Sequence, residues 1–178
     1  MIEEALRLTP NGSINYHVQR METLSLDRSF DLVVSLFDSL NYLTDPGDLQ
    51  RCFDQVHRHL HPGGYFIFDM NGPHAFHANL FTQESWGRNR PVEYSWVSRF
   101  NAETRLCAIE MRFRVRRDGK REEFNETHYQ RAYEIDEVNA ALGNSRFEVV
   151  GVYDAYSTRP PRPKSDRIFW VARRKVDD

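Results

Sequence analysis

The feature that most constrains this 178-residue chain is a pair of short apolar runs with one amphipathic stretch between them. Phe30–Phe37 (FDLVVSLF) is a continuous apolar run preceded by Asp27-Arg28-Ser29, the pattern expected of a strand buried on both faces of a parallel sheet. Across Asp48–His61, Leu49, Cys52, Phe53, Val56 and Leu60 recur at helical spacing. Pro46 suits the first turn of that helix, and Pro62-Gly63-Gly64 suits its end. Tyr65–Met70 (YFIFDM) then reads as a second buried strand. Strand, helix and strand within about 40 residues make a βαβ unit, whose crossover is right-handed.

Around this unit the pattern changes period. Met1–Thr9 reads as a short helix stopped by Pro10-Asn11-Gly12, and Ser13–Gln19 alternates Ile14, Tyr16 and Val18 as a strand does. Val92–Phe100, Arg105–Arg117 and Glu122–Tyr133 alternate polar and apolar residues, with a turn at Asp118-Gly119. They predict an antiparallel meander with one wet face. A helix is expected over Asp136–Leu142, with Asp136 as its N-cap and Gly143-Asn144 as its stop. Phe147–Tyr156 and Arg167–Arg174 follow as a strand pair separated by the loop Arg159-Pro160-Pro161-Arg162-Pro163. The fold class is α/β, with one domain whose core is residues 1–83 and 134–178 and whose insertion is residues 84–133.

Composition removes several function classes. The 24 basic and 26 acidic residues leave a net charge of −2, which gives no global field for nucleic acid or membrane. No run of 18 apolar residues occurs, and Glu3 and Glu4 stand where a secretory leader carries Lys or Arg, so the expected location is the cytoplasm. Cys52 and Cys107 have no metal or redox spacing. His57, His59 and His61 look like a metal tract. On a helix only His57 and His61 share a face, and no acid or cysteine completes a shell, so no metal is expected.

Three stretches carry a family likeness: FDLVVSLFDSLNYL (30–43), HLHPGGYFIFDMN (59–71) and NETHYQRAY (125–133). With GNSRFEVVGVYDAYS and DRIFWVARRK behind them, the chain resembles the class I S-adenosylmethionine-dependent methyltransferases. The likeness is to the small-molecule type that inserts a three-stranded antiparallel flap into a doubly wound, Rossmann-like sheet. It implies methyl transfer to an amine or hydroxyl of a small molecule, with S-adenosylmethionine as the donor.

The family's glycine-rich opening, which lets backbone approach the cofactor, has no counterpart here. No Gly-x-Gly occurs in the chain. The domain is therefore expected to be N-terminally incomplete, and S-adenosylmethionine to bind weakly or not at all to this chain alone. The resemblance implies cofactor contacts at Arg20, Met21, Glu22, Ser35, Phe37 and Asn41. Arg20 stands where the family usually places an adenine-accepting Asp, and an Arg has donors only. A catalytic set of His128, Glu126, Asp38 and Tyr42 is implied, with Asp69, Asn71, Arg131 and Tyr133 toward the substrate. His128 is the candidate base because an imidazole titrates near neutrality, and strand alternation puts it on one face with Glu126 and Gln130.

Two function classes stay open at this level: the methyltransferase, and a cofactor-free relative that binds a ligand or protein partner. In the family's strand order, 3-2-1-4-5-7-6, Phe30–Phe37 becomes an open edge here unless Ser13–Gln19 pairs with it. A homodimer through that edge is the expected partner arrangement, by the general liability of open strands.

Overall fold

The computed structural model describes residues 2–9, 12, 14–85, 92–117 and 120–176. The expected stops at Pro10-Asn11, the residue Ser13, the turn Asp118-Gly119 and residues 86–91 lie outside the described residues. In chain order the elements are α1 (Ile2–Leu8), β1 (Phe30–Ser35), α2 (Pro46–His59), β2 (Leu60–Asn71) and α3 (Pro73–His77). Then come β3 (Gln83–Ser85), β4 (Val92–Asn101), β5 (Leu106–Arg117), β6 (Lys120–Arg131), α4 (Ile135–Asn144), β7 (Phe147–Asp154) and β8 (Arg167–Arg174).

Two four-stranded sheets result, one ordered β1-β2-β8-β7 and the other β3-β4-β5-β6. In the first, β1 and β2 are parallel and β8 runs antiparallel to β2, which is the expected βαβ unit closed by an antiparallel pair. Asp45 caps α2 through its side chain, which accepts from Gly47 N at 2.7 Å, and Pro46 occupies the first turn. The apolar stripe Leu49, Cys52, Phe53 and Val56 meets Leu60, Phe66, Phe68 and Met70 of β2, and Val138, Leu142 and Trp170 complete the cluster. Trp170 stacks on Phe68 at 5.3 Å and donates through Nε1 to Asn139, so its one polar atom is satisfied inside the core. Burial drives the Cys52 thiol pKa up to about 12, with Glu22 adding to the effect, so this cysteine stays protonated as a packing residue.

Several expectations are corrected. The segment 14–19 contains no strand and pairs with nothing in the sheet, because its alternation has no partner ladder to join. β1 is therefore an edge, and it is not buried on both faces: Leu32 is 50% and Val34 48% exposed. Helix α4 starts at Ile135, one residue before Asp136, the expected cap. Glu134 is the N-cap, and its carboxylate and that of Glu137 form a reciprocal capping box. Gly143-Asn144 does not stop it; Ser145 does. Helix α2 ends at His59 rather than His61, and Pro62-Gly63-Gly64 lies inside β2. The short α3 was not anticipated; Pro73 at its first turn is the local signal.

His59 is a core-facing structural residue. Its Nε2 accepts from Leu26 N at 2.8 Å and its Nδ1 faces Gln55 O at 2.7 Å, so both ring nitrogens are used in tying segment 24–26 to α2. No group of His, Cys, Asp and Glu among the described residues has metal-site geometry. No described helix is long and apolar enough to cross a membrane.

Gly72 joins β2 to α3 at the tightest backbone approach near the site. A Cβ built there would lie 2.4 Å from Ser165 O, a backbone atom held by its own turn. Gly72→Ala is accordingly expected to lower stability by about 1–3 kcal/mol, the usual range for overpacking, measured by urea denaturation. An unchanged midpoint would show that the 154–166 loop yields freely.

Candidate active site

The site is built on the carboxyl ends of β1 and β2, where open α/β sheets bind ligands. Beyond β1 the chain turns through Phe37 and Asp38, both in the left-handed region at φ 59° and 51°. A bulky residue there is costly. The cost is met by Asp69 at the end of β2, only 1% exposed, which accepts from Phe37 N at 2.7 Å and Asp38 N at 3.2 Å. Arg167, at the start of β8, binds both carboxylates: one guanidinium nitrogen donates to Asp69 and the other to Asp38 at 2.7 Å. Burial alone would lower the Arg167 pKa; the hydrogen bonds and charges of Asp38 and Asp69 outweigh it and raise it, so the cation is permanent.

The flap, β4 to β6, is carried over this loop. Gln130 of β6 donates to Asp38 Oδ2 at 2.7 Å and accepts from Asn71 Nδ2 at 3.2 Å. Asn41, fully buried, accepts from Asn71 N at 2.8 Å and donates to Arg131 O at 2.9 Å. One step outward, Tyr42 OH lies 2.8 Å from His128 Nδ1, and His128 Nε2 lies 3.1 Å from Glu126 Oε2. Burial pushes the Tyr42 pKa up; Gln130 works the other way, and the carboxylates of Asp38 and Glu126 push it further up. Tyr42 therefore keeps its proton at neutral pH. With His128 neutral, an ionised Glu126 takes the Nε2–H, and Nδ1 accepts from Tyr42.

Of the catalytic set expected from sequence, Asp38, Tyr42, His128 and Glu126 thus gather on one line from loop to flap. Asp69 and Asn71 hold that line from below. Arg131 turns away, donating to Thr104 O and pairing with Glu137, and Tyr133 lies in the core with its hydroxyl on Leu43 O. Among the cofactor candidates, Arg20, Met21 and Ser35 line one cavity of about 240 Å³ between segment 17–26, β1 and α2. Phe37 is 76% exposed on the loop, and Asn41 belongs to the flap bridge. Glu22 is buried and ion-paired with Arg20; its own backbone N–H chiefly lowers its pKa against the opposing effect of burial. Sequence reasoning missed Arg167 as the pivot and Gln130 as its flap partner. The alternation placed Gln130 on the correct face, whereas Arg167 is legible only from the register that sets it opposite Asn71.

For S-adenosylmethionine the residues present fit in part. Around the 240 Å³ cavity the walls Met21, Leu24, Val34 and Leu40 suit a flat apolar ring. Arg20 offers no acceptor there and is already paired with Glu22. The chain holds no Gly-x-Gly loop for the methionine end.

A parallel βαβ unit closed by an antiparallel pair and carrying an antiparallel flap is a fold shared with an S-adenosylmethionine-dependent methyltransferase of known structure. Comparison with known proteins agrees. Residues 1–64 match the model of a methyltransferase domain. The chain is 29% identical over 167 residues to a candidate methyltransferase of Geobacillus sp. (strain WCH70), covering 91% of this chain and 66% of that protein. It is also 29% identical over 154 residues to YqeM of Bacillus subtilis (strain 168), named as a candidate methyltransferase, covering 86% and 62%. Among solved structures, an S-adenosylmethionine-dependent methyltransferase from Clostridium acetobutylicum ATCC 824 superposes with a TM-score of 0.86 at 27% identity, over 98% of this chain and 70% of that one. The CcbJ methyltransferase of Streptomyces caelestis shares the fold at a TM-score of 0.77 and 18% identity, again over 98% and 70%. The chain spans about two thirds of the length of the curated relatives it matches.

Arg167 is expected to matter far more than its surface counterparts. Removing it in Arg167→Met strands the buried Asp69 carboxylate and should cost about 3 kcal/mol. Arg173→Met, whose partner Glu148 is half exposed, should leave the unfolding midpoint nearly unchanged. Equal losses in parallel denaturation curves would mean that Asp69 is adequately held by its two backbone donors.

Proposed function

We propose that these residues form the methyl-acceptor side of an S-adenosylmethionine-dependent methyltransferase acting on an amine or hydroxyl of a small molecule. The observation that carries the reading is the Tyr42–His128–Glu126 line facing the loop that Asp69 and Arg167 lock. Methyl transfer requires alignment of acceptor and donor and removal of one proton from the acceptor. The donor, when bound, supplies an electrophilic methyl group. This chain's residues supply the rest. Asp38 and Gln130 orient the acceptor, Tyr42 passes its proton to His128 Nδ1 as it receives one from the acceptor, and Glu126 stabilises the imidazolium. In the same reading, residues 84–133 are an insertion in one methyltransferase-like domain, and the exposed Leu32 and Val34 edge of β1 is covered in a homodimer.

Spectroscopic titration distinguishes this from a cofactor-free binding module. S-adenosylmethionine at millimolar concentration should shift backbone resonances of Met21, Val34 and Ser35, with a dissociation constant weaker than about 10 μM. No shift anywhere would favour the cofactor-free module. Binding tighter than that would overturn the account of Arg20 and the missing glycine loop.

Where methyl transfer is assayed, His128→Ala should reduce turnover by about 10²–10⁴-fold. Tyr42→Phe should reduce it as well. An unaltered pH–rate profile in both variants would leave these groups as flap struts.

A further inference from the structure

Aromatic rings and most arginines divide between the two faces of the flap. Register places five cross-strand rows on its inner face, from Val92, Val115 and Glu122 at the far end to Phe100, Cys107 and Gln130 nearest the loop. Between them lie Tyr94, Phe113 and Phe124, then Trp96, Met111 and Glu126, then Ser98, Ile109 and His128. These rows carry two glutamates and no lysine or arginine. Arg99, Arg112, Arg114, Arg116, Arg121 and Arg131 fall on the opposite parity; Arg117 and its register partner Lys120 share the inner parity only at the far tip, beyond Val115 and Glu122.

The inner face is also aromatic where it is open. α3 and the segment after it cover the near end, with Phe76 against Phe100 and Phe81. Farther out, Phe113 stacks on Phe124 at 4.9 Å and Tyr94 lies 5.4 Å from Trp96. Phe124 remains 45% exposed, and the Glu126 side chain 51%. Trp96 Nε1 is buried without a hydrogen-bond partner, an uncommon condition that costs free energy unless a ligand answers it.

Aromatic faces beside a carboxylate, with no cation in the rows from Phe124 to Gln130, recognise positive charge on an apolar body. We propose that the inner face of the flap from Phe124 to His128 docks the methyl acceptor and selects a ring-bearing amine that arrives as an ammonium ion. Glu126 faces the ammonium, and the Phe113, Phe124 and Trp96 rings hold the ring. A neutral alcohol would gain only the stacking, and a carboxylate would be repelled. This rests on the acceptor-side reading above and narrows it from amine or hydroxyl to amine.

The test uses the 178-residue chain without donor, titrated at neutral pH with benzylamine, benzyl alcohol and benzoate. Heteronuclear spectra follow the Trp96 indole N–H, Phe124 and His128. Benzylammonium is expected to bind about tenfold tighter than benzyl alcohol, with benzoate weakest, and to shift inner-face resonances only. Glu126→Gln should cut that preference to about threefold or less, while Glu110→Gln, which removes an outer-face carboxylate paired with Arg99, leaves it intact. Equal binding of alcohol and ammonium, shifts on the outer face, or an undiminished preference in Glu126→Gln would each overturn the proposal. The S-adenosylmethionine titration reads Met21 to Ser35 instead, so failure of the donor site and failure of ammonium selection are separately visible.

Discussion

Everything at this site hangs on one buried carboxylate. Asp69 ends β2, is nearly sealed from water, and accepts from the backbone of two consecutive residues that have left the ordinary φ range. Without those acceptors, the turn through Phe37 and Asp38 would relax and its N–H groups would be orphaned at the sheet's edge. Arg167 reaches the same carboxylate from the neighbouring strand β8 and extends the arrangement to Asp38. A buried charge pair of this kind contributes little net stability by itself, but leaving one member alone is costly. The pair therefore fixes a geometry more than it strengthens a fold.

From that point the network grows outward by hydrogen bonds of decreasing burial. Gln130 and Asn71 join Asp38 to the flap, Asn41 bridges loop, strand and flap through backbone groups, and Tyr42 carries the connection to His128 at the half-exposed rim. The inner shell is rigid because every polar group has a partner. The outer shell keeps an ionisable pair where water and a ligand can reach it. Positioning below and proton chemistry above suit an acceptor site whose scaffold must hold still while the reacting group exchanges a proton.

The flap adds a second level of selection. A sheet with aromatic rings and Glu126, paired with His128 rather than an arginine, on one face, and arginines paired with Glu93, Glu110 and Glu123 on the other, presents different chemistry to the site and to the outside. The segregation follows from the two-residue period of a strand, since moving one residue along any of the three strands would reverse it. The edge strand β1 contrasts with this: Leu32 and Val34 stand half exposed on the face opposite the core-packed Val33.

Local pattern by itself determined a good deal. FDLVVSLF, the helical stripe from Leu49 to Leu60 and YFIFDM specified the βαβ unit, and alternation specified β4 to β6 and put Glu126, His128 and Gln130 on one face. These are short-range signals, written in periods of 2 and 3.6 residues. Ser13–Gln19 alternates as convincingly, yet residues 14–19 form no strand, because a strand exists only when another backbone completes its ladder. The cap at Glu134 rather than Asp136 was a choice between two acids two residues apart that only the capping-box geometry made. Arg167 lies 98 residues from Asp69 and 129 from Asp38 along the chain. Nothing local marks it as their partner; the antiparallel register of β8 on β2 brings it there, and that register is set by the whole packed sheet.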